Sequence, residues 1–304
     1  MRDAMMDALF ELAESNSNVM LLTADLGYGV FEKFAEKFPK QFLNVGVAEQ
    51  NMVGVATGLA LEGKIIFTYS IGNFPTLRCL EQIRNDACYH DLNITIIASG
   101  GGFSYGGLGM SHHATEDLSI MRALPNLVIM APCTANETKQ AIHKLAKQAG
   151  PGYLRIDKTK ANATNQNASF EIGKSSLLRE GQDFTIIGVG GITEEAMKAA
   201  DILQQCDIEC RVLGMHTLKP IDTVAIKAAC TETKGIVTIE ENNLVGGLGS
   251  AVSEVCMDEQ VYPKSFLRLG IKDIYMEEVG SQSYLRERIG ITSTEIVSFI
   301  KSCL

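Results

Sequence analysis

The sequence predicts an α/β protein, a doubly wound, mostly parallel sheet followed by a second, smaller α/β domain. Short β-branched runs such as NITIIA (93–98) alternate with helical apolar periods along the whole chain. Glycine-rich turns stand where those runs end. A polar, aperiodic stretch, KTKANATNQNASF (158–170), divides the chain, after which the alternation restarts. The expected domains are therefore 1–165 and 166–304.

The elements follow in order. Met5, Leu9, Leu12 and Ala13 share one helical face, and VMLLTAD (19–25) is a buried strand running into Gly27 and Gly29. Residues 31–38 read as a surface helix stopped before Pro39, 42–47 as a strand, and 49–61 as a helix lined by Gly54, Ala56, Gly58 and Ala60. Strands are expected at 64–69, 93–98, 127–130 and 152–156, with helices at 77–89, 118–124 and 136–148. In the second half, strands at 184–189, 208–213, 236–239 and 266–269 alternate with helices at 194–205, 246–255 and 295–300. The last helix is opened by Thr292 and Glu295 at capping-box spacing. The glycines at 188, 190 and 191 lack the third position of a dinucleotide fingerprint, which is Thr193, so they read as a tight strand-to-helix turn.

Composition excludes several classes. With 27 Lys and Arg against 36 Asp and Glu, the formal charge of −9 disfavours a nucleic-acid or anionic-membrane partner. No run of about 18 apolar residues occurs, and the N-terminus lacks a signal-peptide pattern, so a cytoplasmic location is expected. The eight cysteines are scattered in core-like segments, and Cys206 with Cys210 has no second pair or histidine, so buried free thiols are expected and no protein-held metal.

Function points first to NVGVAEQNMVGVATGLAL (44–61), where Glu49 stands at the handover from strand to helix. A first-turn glutamate can simply complement the helix dipole. Alternatively, a carboxyl in an apolar niche can be tuned to pass a proton. The second stretch of interest, SGGGFSYGGLGMSHHATED, carries His112 and His113 in a glycine-rich loop of the kind that borders sites.

Taken together, LLTADLG, VGVAEQNMVGVATGLA, FTYSIGNFPTLRCLEQIRND, GMSHHATEDLSIMRALPN, the Arg155 strand, HTLKPID and EENNLVGGLGSAV resemble, in order and spacing, the C-terminal half of a transketolase. That half comprises the pyrimidine-binding domain (1–165 here) and the C-terminal domain (166–304). The resemblance implies thiamine diphosphate as cofactor and transfer of a two-carbon ketol unit between sugars. It makes Glu49 the carboxyl that contacts the aminopyrimidine ring, Phe74 an aromatic stacking on that ring, and Ile71 the aliphatic substitute for a second phenylalanine. Asp25 falls near the cofactor and subunit interface. His112 matches a histidine at the reacting oxygens, with His113 beside it in support. Arg2 and Arg155 match arginines that bind a sugar phosphate. Gly29, Gly100 and Leu108 replace the family's serine, histidine and aspartate, which implies a modified sugar. The sequence has no G-D-G motif for a Mg²⁺ that would clamp the diphosphate. An N-terminal-half partner subunit, in an α₂β₂ assembly, is therefore expected to supply it. Two other readings remain at this point: the β subunit of a 2-oxo-acid dehydrogenase, and a non-catalytic α/β binding protein.

Overall fold

In the computed structural model, residues 1–161 and 170–304 are described. Helix α1 (Arg2–Ser15) buries Met5, Leu9 and Ala13 on the face their spacing predicts, and leads into β1 (Val19–Thr23). After α2 (Glu32–Lys37), β2 (Phe42–Asn44) is shorter than its sequence suggests. The Asn44 side chain turns back to accept the Gly46 N–H at 3.0 Å, and Gly46 has φ of 77°, so the strand cannot continue. α3 (Glu49–Leu61) follows, then β3 (Ile65–Ile71).

The helix expected over 77–89 is broken instead. α4 (Phe74–Leu77), with Pro75 in its first turn, and α5 (Leu80–Gln82) are separated at Arg78 and Cys79, and π-helical turns occupy Ile83–Cys88. β4 (Ile94–Ser99), α6 (Asp117–Arg122), β5 (Val128–Met130), α7 (Ala135–Lys147) and β6 (Gly152–Ile156) complete the first half. A capping box between Thr134 and Glu137 starts α7, a signal the sequence carries but the expected boundaries did not use.

In the second half, β7 (Ser176–Arg179), β8 (Phe184–Gly188), α8 (Thr193–Gln204), β9 (Cys210–Gly214) and β10 (Thr217–Lys219) precede α9 (Thr223–Glu232) and β11 (Ile236–Asn243). α10 (Leu248–Asp258), β12 (Phe266–Ile271), α11 (Gln282–Ile289) and α12 (Ser293–Ser302) close the chain. The turn at 188–193 is tight as expected: a Cβ on Gly188 would stand 2.5 Å from the Thr193 hydroxyl. All eight cysteines are free, six of them buried and Cys206 and Cys303 exposed.

Two sheets result, with strand orders β10-β5-β6-β4-β3-β1-β2 and β12-β11-β8-β9-β7. Both are parallel except for one antiparallel edge each, β10 on β5 and β7 on β9. The first sheet thus takes its outermost strand from the second half of the chain, across the expected 165/166 boundary, with Thr217 opposite Met130. Of the expected linker at 158–170, residues 162–169 lie outside the described residues. At its ends, Ala161 donates its N–H to the Cys133 carbonyl at 2.8 Å, and Phe170 stacks on His216 at 4.2 Å.

Candidate active site

The chain passes from β1 outward to β2 and then returns to the other side of β1 as β3, so the strand order reverses between β1 and β3. In open α/β sheets ligands gather outside the carboxyl ends of the strands at such a reversal. Glu49 opens α3 there and is buried, 5% exposed. Its carboxylate does not sit in a purely apolar niche, which corrects the first expectation. Arg78 lies in the break between α4 and α5, and its guanidinium donates to both Glu49 oxygens at 3.2 and 3.3 Å. The same guanidinium lies over the Phe74 ring at 4.4 Å. Just beneath, the Cys79 thiol is pushed up to about 12 by burial, with the Glu49 charge adding to the effect.

His112 continues this wall. Its ring meets Phe74 edge-on at 5.1 Å and lies 6.5 Å from the Tyr105 ring, while Ser111 bonds its Nδ1 at 3.0 Å. Lys158 is placed over the Tyr105 ring, with Nζ 4.0 Å from the centroid. Ile71 closes β3, three residues before Phe74, and is half-buried. Arg2 is exposed at the start of α1, close enough to Lys158 to disfavour its charge, second to burial in lowering the Lys158 pKa. Glu49, Phe74 and His112 therefore fall in one region, and Arg78, Tyr105 and Lys158, none of them singled out from the sequence, join them there.

Three positions behave differently. Asp25, at φ 56°, ends β1 and is tied to Asn44, its N–H donating to Asn44 Oδ1 at 2.9 Å and its Oδ1 accepting from Asn44 Nδ2 at 3.1 Å. It thus bonds the neighbouring strand rather than Glu49. His113 is not a substrate contact. It is buried, bonds the Gly106 carbonyl at 3.4 Å and packs edge-on against Phe103 at 5.1 Å, and burial lowers its pKa.

Arg155 is the larger correction. It is 1% exposed, and its guanidinium donates to Asp157 at 3.1 Å, to Asp117 at 3.2 Å and to the Glu241 carbonyl at 3.0 Å, so it has no free edge for a phosphate. Burial alone would lower its pKa, but Asp157, Asp117 and Glu241 outweigh that and raise it. Asp157 also accepts the Gly101 and Gly191 N–H groups, and Glu241 accepts from the Phe103 N–H, Gln282 and Arg286. This network locks the two domains together. It also explains two glycines of the 100–109 loop: a Cβ on Gly101 would stand 1.6 Å from Arg155 Nε, and one on Gly102 would stand 2.4 Å from Glu241. Among the described residues no cluster of three or more His, Cys, Asp or Glu could hold a metal, and no helix is long and apolar enough to cross a membrane.

This fold and wall define a two-domain α/β section of an enzyme of the transketolase type. The transketolase pyrimidine-binding domain matches residues 1–163 and the transketolase C-terminal domain residues 173–296; the chain belongs to the transketolase family, as its C-terminal section. It is 41% identical, over 90% of its length and 87% of the relative's, to a putative transketolase C-terminal section of Methanocaldococcus jannaschii. It is 37% identical, over 98% of its length and 92% of the relative's, to a 6-deoxy-6-sulfo-D-fructose transketolase subunit of a Clostridium species. One subunit of an apulose-4-phosphate transketolase from Phocaeicola vulgatus is 36% identical over 86% of this chain and 84% of its own. A solved structure described as an inactive β4 tetramer of a split-gene transketolase superposes over all of this chain and 97% of its own, at 37% identity and a TM-score of 0.88.

Proposed function

We propose that this chain is the pyrimidine-holding subunit of a split transketolase that moves a two-carbon ketol unit between sugars, one of them modified. The observation that carries the reading is the buried Glu49 carboxylate at a helix start by the strand-order reversal, joined through Arg78 to the Phe74 ring that His112 meets edge-on. These residues fit the pyrimidine end of thiamine diphosphate, because a carboxyl and an aromatic face are what that ring needs. The cofactor, when bound, supplies an electron sink for cleaving the bond beside a ketose carbonyl.

The chain's own residues do the rest. Glu49 holds and exchanges a proton at a ring nitrogen. Phe74 stacks on the ring, with Ile71 and Asp25 bordering it. Arg78, which covers Phe74 and pairs with Glu49, swings outward on loading and leaves both groups to the ring. His112 hydrogen-bonds the reacting sugar oxygens, and Arg2 faces the substrate's charged end. The diphosphate and its Mg²⁺ fall to an N-terminal-half partner in an α₂β₂ assembly, a division supported by the lack of a G-D-G motif here. Modified sugars are supported by the relatives acting on sulfofructose and apulose phosphate, and by Gly29, Gly100 and Leu108 at positions where the family carries polar side chains.

The test is ketol transfer by this chain mixed with its partner, thiamine diphosphate and Mg²⁺. Activity is expected with a deoxy, sulfo or branched ketose above that with xylulose 5-phosphate. Preference for the ordinary pentose phosphates would remove the modified-sugar part, and release of CO₂ from a 2-oxo acid would replace the reaction.

A further inference from the structure

We infer that Cys230 and Cys256, two thiols facing one another in the second domain, form an oxidation site: a hydroperoxide converts them into a disulfide that staples α9 to α10. The inference is independent of the reaction at Glu49 and concerns helices to which the transketolase reading gives no part.

Three observations carry it. First, the two sulfurs stand 3.6 Å apart, one on each helix, and either thiol can donate to the other. They are close enough that side-chain rotation, rather than movement of the helices, completes a bond. Both lie at the edge of the core, 6% and 5% exposed, whereas Cys79 and Cys133 are wholly enclosed. A small oxidant therefore has a short way in.

Second, the seam between the helices is closed by an ion pair that opens at little cost. Lys227 stands three residues before Cys230, and Glu259 three residues after Cys256, so each shares a helix face with its thiol. Their side chains meet at 2.5 Å and are 45% and 38% exposed, a solvent-screened contact of small net strength.

Third, the span from 230 to 256 contains β11 and most of α10. Within it, Glu240 accepts the Leu248 and Gly249 N–H groups at 2.7 and 2.8 Å, and Glu241 accepts from Arg286 in the network that joins the domains. Closing this span by a covalent bond restricts the unfolded chain and so stabilises the segment that carries that network.

The step balances as follows. The Cys256 thiolate attacks one peroxide oxygen, the O–O bond breaks, and the departing oxygen takes a proton and leaves as water, with a sulfenic acid left on Cys256. The Cys230 sulfur then attacks that sulfur; the S–S bond forms, the S–O bond breaks, and the hydroxyl leaves as water with the Cys230 proton. Two thiols lose two electrons and hydrogen peroxide is reduced to two waters. The order follows from the contact between the thiols. Burial first, and then Cys256, push Cys230 up to about 12, while donation from Cys230 offsets part of the rise that burial imposes on Cys256. Both values stand above the ordinary thiol range, so the pair stays reduced until the oxidant is in excess.

The experiment uses the full chain carrying Cys206→Ser and Cys303→Ser, which removes the two exposed thiols. It is treated with excess hydrogen peroxide while circular dichroism monitors the fold, then alkylated and mapped by peptide mass spectrometry. We expect a mass loss of about 2 Da, located to a peptide pair joined through Cys230 and Cys256 and reversed by dithiothreitol. The thermal midpoint of the oxidised chain should rise by about 5 °C. With Cys230→Ser added, dimedone should label Cys256; with Cys256→Ser added, it should leave Cys230 unlabelled. Thiols that stay reduced, separate sulfinic acids without a cross-link, or a cross-link that appears only as the dichroism signal is lost would each overturn the inference. The reverse dimedone pattern would overturn the assigned step.

Discussion

Arg155 and Arg78 are two arginines paired with carboxylates, and they do opposite things. Arg155 is sealed between the domains with every side of its guanidinium bonded, whereas the Arg78 side chain is 52% exposed and grips one carboxylate, Glu49, from the open side. A closed, fully satisfied network has no affinity left for a ligand and acts through stability. A pair with one open face, resting on an aromatic ring, has bonds that a ligand can exchange. Where charge is unsatisfied, rather than where it is abundant, the molecule offers chemistry.

The comparison can be broken most severely at the open pair. Glu49→Gln should lower ketol transfer by the reconstituted enzyme by about 10³-fold or more while leaving the thermal transition close to wild type. Activity near wild type would remove Glu49 from the reaction. The closed network should answer in stability instead. Arg155→Met strands Asp117 and Asp157 without a cation and should cost about 3 to 5 kcal/mol in urea unfolding. Arg78→Met, removing a solvent-screened contact, should cost no more than about 1 kcal/mol. Similar losses for the two would erase the distinction.

A smaller effect sharpens the closed side. His216, at the junction that hands β10 to the first sheet, is buried against Phe170, and burial lowers its pKa from 6.5 to about 4, partly offset by Asp222. A lowered folded value means the unfolded chain binds the proton first. The stability from keeping His216 neutral is therefore fully present above pH 6.5 and is lost as pH falls to about 4. The loss amounts to about 3 kcal/mol. Glu240, raised to about 7 mainly by burial, works in the opposite sense, so the measurement is the difference between wild type and His216→Phe across that range. A pH-independent difference would contradict the assignment.

Much of this was legible in the sequence, and the misses have physical causes. Glu49 and His112 stood out because strand ends and glycine turns mark the rim of a doubly wound sheet, while Phe74 was singled out by the transketolase resemblance alone. Arg78 could not, because periodicity predicts an unbroken helix over 77–89, and only the break between α4 and α5 turns its side chain toward Glu49. Arg155 was assigned a phosphate by the family resemblance, because a matching arginine is visible in the sequence while its partners 38 and 86 residues away are not. The 100–109 glycines were read as bordering a site. Gly101 and Gly102 are also there to let backbone lie against Arg155 and Glu241. β10 escaped notice because three residues on an edge carry too little pattern.

The central claim is that this chain grips one end of thiamine diphosphate and another polypeptide the other. Titrating the cofactor with Mg²⁺ into this chain alone, the partner alone and the equimolar mixture, followed by calorimetry, tests it most directly. The account predicts tight saturable binding only in the mixture, abolished there by Glu49→Ala. Tight binding by this chain on its own, or binding in the mixture indifferent to residue 49, would contradict it.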